Sequence, residues 1–393
     1  EMLLELLVAT LSIVAAVQNC EQVNSFIATN GLGYGYGGVN PGAQVPFGAL
    51  RLGPDTTTYI ADMTWRHFSG YNYQDHTIRA FSHTHLVGGG VNDLGSVGVM
   101  PLTVGKKDQT SFPHNSWWSD FNKTTETASP GFYSVYLNEP KTKVELMAIS
   151  NLAGVHRYTW DSLTTTTNPA LVIDMCHDSK IHKGEDDTRC LDASFNIDTA
   201  NSNVFTGHVH TKGGLSNGMI LYIYAELHSE NEKDTSSLVD SWRVCTKDSK
   251  TPSCQEDINT ITASQRLYSI AHLNKKLTKS SLSVDLRVGI SFISIDQAKL
   301  NLQAALGSSA DFSSLAARTK EQWCDSMNFI SITGLDSATD PDFTTIFYSA
   351  IYRSFMSPTD YTEVNGLYLG VDRQVHNVTA DRLAYGDDAT TRY

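Results

Sequence analysis

From Val23 to about Ile295 the chain alternates apolar and polar side chains in short runs. The clearest are residues 132–137, 143–148, 155–160, 170–174 and 218–225, separated by Asn-Gly, Gly-Gly and Pro-Gly pairs. Period-two runs between such turn pairs predict antiparallel strands. No helical period interrupts them, which argues against a Rossmann or barrel α/β layout and predicts a mainly β protein on a large antiparallel β-sandwich. No internal repeat is present. The period changes after Ser294. Residues 296–306 and 312–327 carry apolar side chains at helical spacing, and in the second run Phe312, Leu315, Ala316, Thr319, Trp323 and Met327 share a stripe. These predict two linker helices. Asp340 and Pro341 cap a third, whose Phe343, Ile346, Phe347, Ala350, Ile351 and Phe355 form a broad apolar face before Pro358 stops it. A lone helix with such a face needs partners, and this one is expected to find them outside the chain. The division that follows is a sandwich at 20–295, a helical linker at 296–335 and the start of a further helical domain at 336–393.

The stretch ahead of the sandwich changes the picture. Met2 to Val17 is an apolar run too short to span a bilayer comfortably, with the small residues Val14, Ala15 and Ala16 near its end, and residues 1–19 read as a signal peptide. Export makes disulfides expected for the six cysteines. Cys176 with Cys190 and Cys245 with Cys254 flank short polar segments that could close as loops, although spacing leaves the connectivity open. No CxxC occurs, which argues against structural zinc. Asn122 and Asn377 head N-x-T tripeptides and are candidate glycosylation sites. With 42 acidic against 29 basic residues among 393, the net charge is −13, so no basic field exists for a nucleic-acid partner. Only 18% of residues are charged, and the Thr, Ser, Tyr and Gly content suits a β-rich secreted protein.

Candidate chemistry concentrates between Ala61 and Pro101. Phe81 to Leu86 reads as a strand that places His83 and His85 on one face before the flexible Gly88, Gly89 and Gly90. Trp65, His67, Tyr71 and Tyr73 offer flat amphipathic surfaces for a sugar ring. Glycoside hydrolysis needs two carboxylates, about 6.5–9.5 Å apart for inversion. Asp55, Asp62, Asp75 and Asp93 lie near this region, but their spacing singles out no acid and base. Asp93 is the strongest of them for substrate binding, with a turn role as the alternative. His83 and His85 could ligate a metal only with a third ligand, and hydrogen bonding is the better reading. The acidic run 184–187 lacks calcium-loop spacing. The glycines at 33–38 do not match a phosphate-binding loop.

The order of these motifs resembles glycoside hydrolase family 92, the calcium-dependent exo-acting α-mannosidases. The resemblance rests on VNSFI (23–27), PGA (41–43), VPFG (45–48), SGYNYQD (69–75) and FSHTHLVGGGVNDLGSVGVMP (81–101). It continues through RVGIS (287–291), AKLNL (298–302), Trp323 and FYSAIYR (347–353). It implies that the sandwich precedes an (α/α)6 catalytic domain whose first helix is the third one above. It also implies that the catalytic acid, the base and most of a calcium site lie beyond Tyr393, so that this chain is a truncated form, inactive alone. Trp65, His83, His85 and Asp93 would then contact a mannose-containing glycan, with Trp65 pushed into the catalytic pocket. Where the family usually has SHTHLSGTG and DYGD, this chain has Val87, Leu94 and Ser96, losing a hydroxyl, an aromatic and a carboxylate. The expected partners are the glycan and the missing catalytic domain, with no nucleic acid and no stable membrane span. The expected place is outside the cell or in an endomembrane or lysosomal lumen. The alternative function is a non-enzymatic carbohydrate-binding or interaction module; a metal-dependent hydrolase built on His83 and His85 comes third.

Overall fold

Strands form where β-branched and aromatic side chains alternate with polar ones, and the computed structural model arranges them in two facing sheets. It describes residues 18–30, 38–57, 67–90, 93–105, 117–164, 166–179, 190–213, 218–229, 238–246, 253–256, 259–263, 266–274, 280–308, 311–332 and 341–379. In chain order the first strands are β1 (Gly53–Thr57), β2 (Thr77–Ser82), β3 (Gly98–Gly105), β4 (Ser119–Asp120), β5 (Thr127–Ser129) and β6 (Phe132–Leu137). Then come β7 (Thr142–Ser150), β8 (Ala153–Trp160), β9 (Thr167–Asp174), β10 (Cys190–Ile197), β11 (Val204–Thr211) and β12 (Ile220–His228). The sandwich closes with β13 (Val239–Thr246), β14 (Ser253–Glu256), β15 (Thr260–Ala263), β16 (Leu267–Leu273) and β17 (Leu282–Ser291). One sheet has the order β1-β2-β3-β9-β16-β13-β14 with β4 beside β2, and the other β15-β10-β11-β12-β17-β8-β7-β6-β5. The described ladders between these strands are antiparallel.

The main core fills the space between the sheets. Ile78, Phe81, Val99 and Ile173 from one sheet share it with Tyr133, Leu146, Tyr158, Trp160 and Ile223 from the other. Trp160 also gives its indole N–H to the Leu102 carbonyl at 3.0 Å. On β7 the side chains divide by parity: Val144, Leu146 and Ala148 enter the main core, while Met147 and Ile149 face outward into a second cluster. That second cluster is closed by Leu302 and Leu306 of α1 (Ile295–Leu306) and by Phe312 and Leu315 of α2 (Phe312–Met327). A strand covered on both faces reads as an unbroken apolar run, which accounts for residues 146–149. Side-chain caps start both helices: Ser294 accepts from the Gln297 N–H and Asp311 from the Ser314 N–H. Gly289 on β17 lets α1 approach, because a Cβ there would lie 2.1 Å from the Ala298 carbonyl oxygen.

The third helix, α3 (Pro341–Ser354), does find partners within the chain, on a face shifted from the one expected: Phe347, Ile351 and Phe355 of the expected face pack at its edge. Tyr348, Tyr352 and the following Met356 are buried with Trp323, Cys324 and Met327 of α2 and with Cys20 and Val39. Of the expected face, Phe343 and Ile346 are exposed. Tyr352 is drawn inward because its ring packs on Trp323, with centroids 4.7 Å apart. Trp323 is fully buried and donates to the Gln44 carbonyl at 2.7 Å.

Beyond α3 the chain is stitched to the sandwich. Phe47 N–H donates to the Phe355 carbonyl, Asp360 N–H to the Phe47 carbonyl, and Asn151 Nδ2 to the Thr362 carbonyl. Glu363, buried, accepts from Ser291 Oγ at 2.7 Å and from Asn301 Nδ2. Burial lifts its pKa, against the pull of those hydrogen bonds. A small hairpin follows, of β18 (Leu367–Leu369) and β19 (Val375–Asn377). All six cysteines are paired, as Cys20–Cys324, Cys176–Cys190 and Cys245–Cys254. The last joins directly opposed residues of β13 and β14. The first ties the 3₁₀ turn Asn19–Gln22 to α2.

Candidate functional site

The histidine and glycine stretch sits where β2 ends. The strand expected over 81–86 stops at Ser82, because His83 and Thr84 pair with the returning loop instead. His83 N–H donates to the Ser96 carbonyl and Gly95 N–H to the Thr84 carbonyl. The returning loop carries left-handed residues at Leu94, Gly95 and Val97. At Gly95 a Cβ would strike the Ser179 backbone nitrogen at 2.3 Å, so only glycine fits. The exposed part of this stretch is its tip, with Gly88 and Gly90 open to solvent.

Beneath the tip the polar side chains face inward. Asp55 on β1 is fully buried and accepts from Ser82 Oγ at 2.7 Å and His177 Nε2 at 2.8 Å, with His85 Nε2 at 3.1 Å. His85 is held at its other nitrogen as well, donating from Nδ1 to the Arg51 carbonyl at 2.7 Å. Burial alone would raise the Asp55 pKa. The attraction of His85 and the hydrogen bonds from His177 and His85 outweigh it and hold the carboxyl well below the ordinary carboxylate range. Gly70 closes over this carboxylate; a Cβ there would overlap Asp55 Oδ1. His177 stands next to Cys176, whose disulfide to Cys190 anchors the end of β9.

His83 belongs to a different network. Its Nδ1 lies 2.7 Å from the Val97 carbonyl and its Nε2 lies 3.1 Å from Nε2 of His156, whose Nδ1 is 2.8 Å from the Tyr158 hydroxyl. All three rings are fully buried. Desolvation lowers the His83 pKa to about 4 and the His156 pKa well below its ordinary value, so both rings are neutral at pH 7. One proton arrangement then satisfies the chain: Tyr158 donates to His156, His156 to His83, and His83 to Val97. The chain crosses from β8 in one sheet to the end of β2 in the other.

A third network holds the loop before β2. His67 Nε2 and Thr56 Oγ1 both donate to Asp75, at 2.5 and 2.7 Å. Tyr71 gives its hydroxyl to Glu126, which also accepts from Tyr133 at 2.7 Å and from Lys123 at 2.8 Å. Of the aromatic set expected to meet a sugar, His67 and Tyr71 are therefore interior, while Tyr73 is 42% exposed with the Lys123 ammonium over its ring. Trp65, Asp62 and the acidic run at 184–187 lie outside the described residues. Asp93 is buried, accepts from its neighbour Leu94 N–H and presents its carbonyl to Ser179 Oγ.

His83 and His85 therefore engage separate partners and do not converge on a common point. Among the described residues no group of three or more His, Cys, Asp or Glu side chains could hold a metal ion. The described residues do not fit the calcium that the resemblance implies. Sequence reasoning did not single out His156, His177 or Arg51. For His156 a signal existed, since it occupies an inward position in the apolar run 155–160. His177 had none, because proximity to Asp55 is 122 positions removed along the chain. No helix among the described residues is long and apolar enough to cross a membrane.

A two-sheet antiparallel sandwich with buried polar networks, followed by helices that cover one of its outer faces, defines a β-sandwich module joined to a helical one. The family model for the glycosyl hydrolase family 92 N-terminal domain matches residues 22–291, and that for the family 92 catalytic domain matches residues 297–390. The chain belongs to glycosyl hydrolase family 92. Among solved structures it is similar to the family GH92 α-mannosidase BT3965 from Bacteroides thetaiotaomicron, with a TM-score of 0.73 and 25% identity, covering 92% of this chain and 44% of that one. The inverting mannosidase BT2199 of the same organism superposes with a TM-score of 0.71 at 20% identity, over 92% of this chain and 43% of its own. A secreted glycosidase of Arthroderma benhamiae, itself uncharacterized, is 24% identical over 349 residues, 84% of this chain. The chain spans 40% of that relative's length.

Proposed function

We propose that this chain contributes the sandwich and the opening of the helical domain to an exported α-mannosidase-type glycoside hydrolase that cleaves terminal α-mannosyl linkages with inversion. The observation that carries the reading is the collinear match to both family domains, at 22–291 and 297–390. The carboxylate pair and the calcium site are assigned to the helical domain, because Asp55, Asp75 and Asp93 in the sandwich are buried and hydrogen-bonded. A carboxylate buried in the sandwich is out of reach of a glycosidic oxygen or an attacking water. Trp65 is proposed as the sugar-contacting residue. His83, His85 and Asp93 would serve the glycan by shaping the loop whose tip is Gly88–Gly90. The proposed division is a signal peptide at 1–19, the sandwich at 20–295, a linker at 296–335 and the catalytic domain from 336. Asn122, exposed at a turn, and Asn377 on β19 are proposed glycan acceptors.

A carbohydrate-binding module without activity is the second reading, favoured by the same buried carboxylates. Hydrolysis of an α-linked mannobiose separates the two, using the purified chain beside one extended through the rest of the helical domain, each with calcium and then with chelator. Turnover by the extended chain alone is expected. Turnover by the 393 residues would place the pair among them and overturn the assignment, whereas mannoside binding with turnover by neither would favour the module.

A further inference from the structure

Three disulfides close this chain on itself, and one of them is placed unlike the others. Cys20, Cys324, Cys176, Cys190 and Cys245 are buried, and of the six cysteines only Cys254 is partly exposed. Cys254 lies on β14, the edge strand of its sheet. That strand has four residues, of which Ser253, Gln255 and Glu256 are exposed, so Cys254 is the one side chain it sends against the main core. Its ladder to β13 runs only from Arg243 opposite Glu256 to Thr246 opposite Ser253. An ion pair between Arg243 and Glu256 adds little, because the Glu256 side chain is well exposed. A four-residue edge strand with a single inward side chain is marginal without a covalent tie. The disulfide therefore keeps β14 on the sheet. It is also the bridge with a sulfur-bearing residue within reach of a thiolate from solvent, and exchange needs that access.

We propose that Cys245–Cys254 is a thiol-operated clasp, opened by a dithiol reductant while the other two bridges stay closed, and that its opening releases β14 from β13. The attacking thiolate bonds to Cys254 Sγ, the Cys245–Cys254 bond breaks, and Cys245 leaves as a thiolate. The second thiol of the reductant then displaces Cys254 from the mixed disulfide. Two electrons pass to the protein, the protons of the two reductant thiols end on the two cysteines, and the reductant ends as its own disulfide. Release leaves the backbone groups of β13 that faced β14, between Arg243 and Thr246, as a new sheet edge. The two-sheet core persists, because β14 contributes only Cys254 to it.

The test treats the folded, purified chain with graded dithiothreitol, traps free thiols with iodoacetamide and locates them by peptide mass spectrometry. Hydrogen exchange is followed on the same samples. Cys245 and Cys254 are expected to be labelled at least severalfold faster than the other four cysteines. Exchange should rise at 253–256 and 243–246 while the remaining strands stay protected. Glutathione in place of the dithiol should be found joined to Cys254, with Cys245 carrying the alkyl group. Cys245→Ala with Cys254→Ala should show the fast exchange at 253–256 without any reductant. Opening of either other bridge first, or of all three at one rate, would overturn the proposal. So would a glutathione adduct on Cys245, or protection at 253–256 that reduction leaves unchanged.

Discussion

Neutral histidines in a sandwich core make stability depend on acid, and the direction can be worked out residue by residue. His83 titrates near 4 in the fold and near its ordinary 6.5 when unfolded, and His156 is lowered in the same sense. Between those values the unfolded chain binds more protons than the folded one, so stability is fully present above pH 6.5 and falls as the pH drops toward 4. Asp55 acts below that window. Its folded pKa is depressed, so its contribution is present above the ordinary carboxylate range and is lost only as pH falls further. We expect urea unfolding to show a loss on the order of 3 kcal/mol from His83 alone across the upper window. His156→Gln, which can still accept from Tyr158 and donate to His83 without titrating, should flatten that slope appreciably. An unchanged slope would mean that the neutral chain is not the source. At this scale the sequence was legible for which side chains cluster and illegible for which way they point. His83 and His85 were visible as a pair, but their separate partners, Val97 with His156 and Arg51 with Asp55, depend on contacts between distant strands.

At the scale of elements, the close approach of α1 to β17 depends on one missing side chain. A methyl group at Gly289 would meet the Ala298 carbonyl oxygen at 2.1 Å and Leu302 Cβ at 2.9 Å. Neither is the end of a flexible chain, so the helix must lift from the sheet. Gly289→Ala should cost about 1–3 kcal/mol, the range of core overpacking, read as a lower urea midpoint with an unchanged slope. A variant as stable as the parent would show that α1 shifts at little cost. Strand and helix positions were largely legible from periodicity, and so was the α2 stripe, of which Phe312, Leu315, Thr319, Trp323 and Met327 are buried. The buried side of α3 was not. Its apolar residues extend around from Phe343 and Ile346 through Phe347, Ile351 and Phe355 to Tyr348 and Tyr352, and only the position of Trp323 centres the buried stripe on the tyrosines.

For the whole molecule, the Cys20–Cys324 bond matters most, with a separation of 304 residues against 14 and 9 for the other two. Loop-closure entropy grows with the logarithm of length, so removing it as Cys20→Ala with Cys324→Ala should cost roughly 5–6 kcal/mol, more than either short bridge. A thermal midpoint lowered less than by loss of Cys245–Cys254 would count against that ranking. Spacing suggested the two short bridges, since their partners are near neighbours along the chain. The long one had no local signal, because it exists only once α2 folds back beside the start of the sandwich. The same covalent bond gives the molecule a closed contour. A protease cutting any surface loop between residues 20 and 324 would leave both pieces attached, so a nicked molecule would migrate as one band until a reductant was added.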